Sequence, residues 1–152
     1  MKLKYFLYQL LLEVRWVRPN QNELKREYHV EYELKSLSST GIFKDLDDFL
    51  EKVKNAKIVE VTPELDNKIR YRVQTQDKDS LLSLIKSYKS YPEFRNEKSL
   101  DDLYSRIQND KTVFMPIVLK YPNGDMRVFS GNTRMNISFQ LNINPKVLMI
   151  EI

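Results

Sequence analysis

Four consecutive residues, Gly131-Asn132-Thr133-Arg134, have the types and spacing needed to hold an anion. They follow an apolar run at 126–129 and lead into a stretch compatible with a helix. Where a strand turns through glycine into a helix, the first-turn N–H groups find no partner inside the helix and point outward. The helix dipole favours negative charge there, and a guanidinium in that turn can grip two oxygens at once. Phosphate is the anion such a turn suits. The plainer alternative is a helix capped by Ser130 or Asn132, with Arg134 solvated on the surface.

Other chemistries are narrowed by what the chain lacks. With no Cys it has no disulfide, no thiolate metal site and no Cys nucleophile, in keeping with a reducing compartment. His29 is its only imidazole, which speaks against a His base or a zinc held by several His. Asp45, Asp47, Asp48 and Glu51 cluster on a helical pattern, where a solvated face with acids near its N-terminus explains them better than a metal does. Arg70 and Arg72 share the outward face of a strand pattern and are placed for phosphate or, more simply, for solvent. The balance of 25 basic against 21 acidic residues, a net charge of +4, is compatible with nucleic acid without demanding it.

At 152 residues, 41% of them hydrophobic and 30% charged, the chain is long enough for one soluble domain with its own core. The apolar run at 5–12 is too short to span a bilayer and lacks a secretory cleavage pattern, so it is expected to belong to the fold. A cytoplasmic protein with no membrane partner is the expectation. Leu7, Leu10, Leu11 and Val14 recur at helical spacing and predict a first helix ending before Pro19. Across 27–34, strict alternation sets Tyr28, Val30, Tyr32 and Leu34 against Glu27, His29, Glu31 and Glu33. This predicts a half-buried strand with the charged set wet.

Leu46, Phe49, Leu50 and Val53 predict a helix. Residues 57–61 and 68–75 predict two strands joined as a hairpin through Pro63, Asp66 and Asn67. Helices are predicted at 80–88 and, beyond the break at Pro92, from the N-cap candidate Ser99 through Ile107. A strand at 113–119 follows, then the turn Tyr121-Pro122-Asn123-Gly124, a strand at 125–129, a helix from the tetrad to about residue 141 and a last strand at 147–152. The expected class is α+β: a mixed β-sheet with flanking helices. Its two regions, an N-terminal α/β extension at 1–90 and a second unit at 91–152, are able to share one core.

The second unit resembles the ParB/sulfiredoxin superfamily. The resemblance is carried by the helix Ser-Leu-Asp-Asp-Leu-Tyr-Ser-Arg-Ile at 99–107, by Met115-Pro116-Ile117-Val118-Leu119, by a strand ending in the Gly-x-x-Arg turn, by Leu141 and by Pro145-Lys146-Val147-Leu148-Met149-Ile150. Asn142 stands where the family commonly has Gly, an exchange the left-handed helix end tolerates. Ile137 replaces a frequent small Ala. The resemblance implies that Gly131, Asn132, Thr133 and Arg134 bind nucleotide phosphates and that Ser130 adds a hydroxyl. It also directs attention to the loop 91–98, where family enzymes carry an acid or further basic groups. There Glu93 or Glu97 would act as a general base or help hold a metal on the phosphates, and Arg95 or Lys98 would neutralise developing charge, alongside Arg134. ATP, ADP or CTP, with Mg, are the cofactors so implied.

Departures from the family pattern narrow it. Sulfiredoxins need a Cys directly after the turn's Gly, and Asn132 stands there, which excludes sulfinic acid reduction. Partitioning ParB proteins carry Glu-Arg-Arg and continue into a DNA-binding region. The tetrad here is closer to free-standing ParB-like domains, including those of free serine kinases and of phage or mobile-element proteins labelled ParB-like nucleases. Three classes follow: a nucleotide-binding NTP hydrolase or phosphotransferase; a DNA-binding or DNA-cutting protein, motivated by Lys2, Lys4, Arg15 and Arg18; and a noncatalytic interaction module, for which Trp16 is a candidate anchor. The sequence specifies no protein partner.

Overall fold

The computed structural model of the chain describes residues 15–29, 41–71, 112–140 and 143–152. Strand β1 (Arg15–Val17) leads past Pro19 into helix α1 (Gln21–Tyr28), and the Asn20 side chain caps it by accepting from the Glu23 N–H at 2.8 Å. Helix α2 (Leu46–Lys54) is capped in the same way by Asp45, which accepts from Asp48 N–H at 2.8 Å. Strand β2 (Lys57–Glu60), the short helix α3 (Pro63–Asp66) and strand β3 (Ile69–Arg70) complete the described part of the first half. The second half contributes β4 (Thr112–Phe114), β5 (Ile117–Lys120), β6 (Met126–Ser130), helix α4 (Asn132–Gln140) and β7 (Lys146–Glu151).

Five strands form one mixed sheet in the order β2-β7-β5-β6-β3. β5 runs parallel to β7 and antiparallel to β6, β2 is antiparallel to β7, and β3 is parallel to β6. Both halves of the chain therefore supply strands to one sheet. Both faces are covered, which is why β5 and β7 read as continuous apolar runs. Ile117, Leu119, Phe129, Leu148 and Ile150 face α1 and α2, where they meet Leu24, Tyr28, Phe43, Phe49 and Val53. Val118, Met126, Val128, Val147 and Met149 face the other way, onto Met135 of α4. Phe43, Phe49 and Phe129 form a mutual aromatic contact with centroids 5.1 to 5.4 Å apart, edge-on or tilted as ring quadrupoles favour.

Several sequence expectations are corrected. Residues 15–17 are strand, pairing in parallel with β4 (Trp16 opposite Val113), rather than the end of a first helix. Glu27 and Tyr28 lie in α1 rather than in a strand: Leu24, Glu27 and Tyr28, spaced three and four apart, form the buried face of that helix. Of the alternating stretch 27–34, Glu27 and Tyr28 thus complete a helical stripe that begins at Leu24. β2 and β3 do not form a hairpin, because α3 lies between them and carries the chain to the opposite edge of the sheet. The run 113–119 is two strands, broken at Met115-Pro116, with β4 pairing with β1 and β5 entering the main sheet. Proline cannot donate to a ladder and so marks that break.

The turn at 121–124 is as expected, with Gly124 at φ +92°, its N–H donating to Tyr121 O at 2.9 Å, and Tyr121 N–H donating to Asp125 O at 2.8 Å. The expected helices at 80–88 and 99–107, and residues 1–14, 30–34 and 72–75, lie outside the described residues. Among the described residues, no helix is long and apolar enough to cross a membrane.

Candidate functional site

The tetrad stands at the end of β6 and opens α4. Gly131 has φ +100°, in the left-handed region that favours glycine, and its carbonyl accepts the first helical bond from Met135 N–H at 2.9 Å. Gly131 is thus the N-cap, and the N–H groups of Asn132, Thr133 and Arg134 belong to the first turn, without acceptors inside the helix. A Cβ on Gly131 would come 2.7 Å from Pro116 Cβ and 2.9 Å from the Arg134 Nη2. Glycine is therefore required twice over, by conformation and by the close approach of the Met115-Pro116 break. The side chains of Asn132 and Thr133, like Glu93, Arg95, Glu97 and Lys98 in their entirety, lie outside the described part of the structure.

Arg134 is neither solvated nor open toward the turn alone. Its Nη1 donates to Phe114 O at 2.6 Å, at the end of β4, and its Nη2 donates to Glu27 Oε1 at 2.7 Å, on α1. Only 14% of the Arg134 side chain and 6% of that of Glu27 is exposed. The guanidinium thus fastens α4 to β4 and α1 from a position beside Gly131. Electrostatics calls for this partner: a cation at the third position of a helix opposes the dipole, α4 has no acid in its first turn, and Glu27 supplies the missing negative charge from another helix.

The pair is incompletely satisfied. Glu27 Oε2 is buried and, among the described residues, has no hydrogen-bond partner. Burial pushes the Glu27 carboxyl above its ordinary range, and nearby Glu23 adds to this; the Arg134 charge and hydrogen bond pull it down without overcoming burial. The Ser130 hydroxyl also favours the ionised form, though it gives Oε2 no well-formed hydrogen bond.

Ser130 reaches this carboxyl because of a bulge. Ile117 pairs with Ser130 but Val118 with Val128, so Phe129 is the extra residue on β6. Ser130 is thereby placed opposite Ile117, whose side chain belongs to the layer that contains α1. It is buried beneath that helix. The Ser130 hydroxyl therefore lies against the Glu27 carboxyl.

Ser130, Gly131 and Arg134 adjoin at this turn, while sequence reasoning missed Glu27, Phe114 and Pro116 as their partners. The signal for Glu27 was present in Asn20-Gln21-Asn22-Glu23, an N-cap residue followed three later by Glu, and in the Leu24, Glu27, Tyr28 spacing. Other candidates have structural partners. Arg18 donates to the Val53 and Ala56 carbonyls at 3.3 and 3.1 Å and closes the C-terminal end of α2, while Arg15 is exposed. Trp16 packs at the margin of the α1–α2 core. Asp48 bonds Lys44 N–H and Lys52, which hold its carboxyl below the ordinary range. Arg70 lies on edge strand β3 beside Arg127, 3.9 Å from Asp125; Arg72 is outside the described residues. Compared with known proteins, the chain matches no family model, no curated protein and no solved structure.

Proposed function

We propose that this chain is a cytoplasmic nucleotide-binding protein of ParB-like type, and that the turn at 131–134 receives the phosphates. The observation that supports this most is the left-handed Gly131 at the head of α4, pressed on Pro116 with no room for a Cβ, with a guanidinium against it. Such a turn offers first-turn N–H groups to an anion, and beside them stands the guanidinium that Glu27 holds. The ligand is ATP, ADP or CTP, with Mg carried on the phosphates, as suits a cation that keeps most of its water. In the same reading, the chemistry is NTP hydrolysis or phosphoryl transfer. Glu93 or Glu97 takes the proton of the attacking hydroxyl or water, and Arg95 or Lys98 neutralises charge on the transferring group.

A thermal-shift panel of nucleotides with and without Mg tests the binding. Arg134→Ala is an ambiguous control because it strands Glu27. Thr133→Glu is a better one: an acid in the first turn suits the helix dipole but repels phosphate. The expected result is a shift in the wild type that Thr133→Glu abolishes while remaining folded; no shift with any nucleotide rejects the reading.

A further inference from the structure

The Arg134 guanidinium has two claims on it. It lies against Gly131, where an anion on the first-turn N–H groups would meet it, yet its Nη2 is held by Glu27 Oε1 at 2.7 Å and its Nη1 by Phe114 O at 2.6 Å. A phosphate brought beside this pair would face the Glu27 carboxylate, whose second oxygen is buried without a partner among the described residues. Two anionic groups around one guanidinium in a buried place repel strongly, and a carboxylate so placed is relieved by taking a proton.

We infer that anion binding at the turn is an exchange: the incoming anion takes the Arg134 guanidinium from Glu27, and the released carboxylate takes up a proton from solvent. This rests on the phosphate reading of the turn. No covalent bond changes except the new O–H on Glu27, and its proton comes from water or buffer. Of the groups that face Glu27, Arg134 of α4 is the cation that leaves and Glu23 on α1 disfavours the ionised form once the guanidinium has turned away, while the Ser130 hydroxyl of β6 favours the ionised form and opposes them. Burial of the carboxyl acts with Glu23. The consequence is a site that is closed by its own carboxylate at higher pH and opened by protons.

The test uses the full chain and inorganic sulfate, a phosphate mimic whose own charge does not change across the range used. Titration calorimetry in two buffers of different ionisation enthalpy counts the protons taken up per sulfate bound. About one proton is expected, with affinity rising up to about tenfold for each unit fall in pH across the window in which Glu27 titrates. Glu27→Gln, which keeps an acceptor for Arg134, is expected to bind sulfate more tightly, without pH dependence and without proton uptake. Sulfate binding by the wild type with no proton uptake, or with the same uptake in Glu27→Gln, overturns the exchange and leaves the phosphate reading standing. Absence of sulfate and nucleotide binding at every pH overturns both.

Discussion

Arg134 and Glu27 are each the other's main reason for being tolerated indoors. Removing one partner of a buried ion pair leaves an uncompensated charge, a loss of roughly 3–5 kcal/mol, whereas replacing both with apolar groups of similar size is often neutral or stabilising. Arg134→Met is therefore expected to destabilise the protein by about that amount, and Glu27→Leu combined with Arg134→Met to recover most of it. A double-mutant cycle by urea unfolding measures the coupling, and additive losses would mean that the pair is not the source. The pH dependence has a definite sign. Since burial raises the Glu27 carboxyl above 4.5, the folded protein holds that proton more tightly than the unfolded chain does. Its contribution is largest below 4.5 and is lost as pH rises through the raised native value. The difference between wild-type and Glu27→Gln unfolding free energies should fall with rising pH across that window; a flat difference would contradict the assignment.

At the scale of elements, the turn depends on two devices that position it: the Pro116 break and the β6 bulge. Gly131→Ala meets both a left-handed backbone and a 2.7 Å approach to Pro116, so a loss of about 1–3 kcal/mol or more is expected from thermal unfolding. Wild-type stability in that variant would show that the turn relaxes freely. Asn20→Ala should cost about 1 kcal/mol by uncapping α1, and, because α1 carries Glu27, should also loosen the ion pair.

Strand and helix types in the described second half, 112–140 and 143–152, were legible because β5, β6 and β7 carry long apolar patterns between strong turn residues. The first half was less so. The few residues of α1 fit a period of two as well as 3.6, and nothing local to 57–61 or 69–70 reports that these strands take opposite edges of the sheet. The tetrad could be read as a turn, but its electrostatic partner could not, since Glu27 is 107 residues away in the chain.

For the molecule as a whole, one sheet is clasped between α1 and α2 on one face and α4 on the other, and the candidate site sits where α1, β4, β6 and α4 converge. Binding of an anion there would be felt by both halves of the chain, since Glu27 lies on one and Arg134 on the other. Catalysis, in the proposed function, is separable from this binding. Glu93→Gln or Glu97→Gln, whichever is the base, should lower nucleotide turnover by roughly 10²–10⁴-fold while leaving the nucleotide-induced shift intact. Full turnover in both variants would remove that loop from the mechanism. The most direct measurement is the melting temperature of wild type and Thr133→Glu with and without saturating nucleotide and Mg. A ligand at about 100 times its dissociation constant adds about 2.7 kcal/mol, a readily measured shift. That shift is expected in the wild type and none in a folded Thr133→Glu protein; no shift in the wild type, or equal shifts in both, would rule out phosphate binding at the turn.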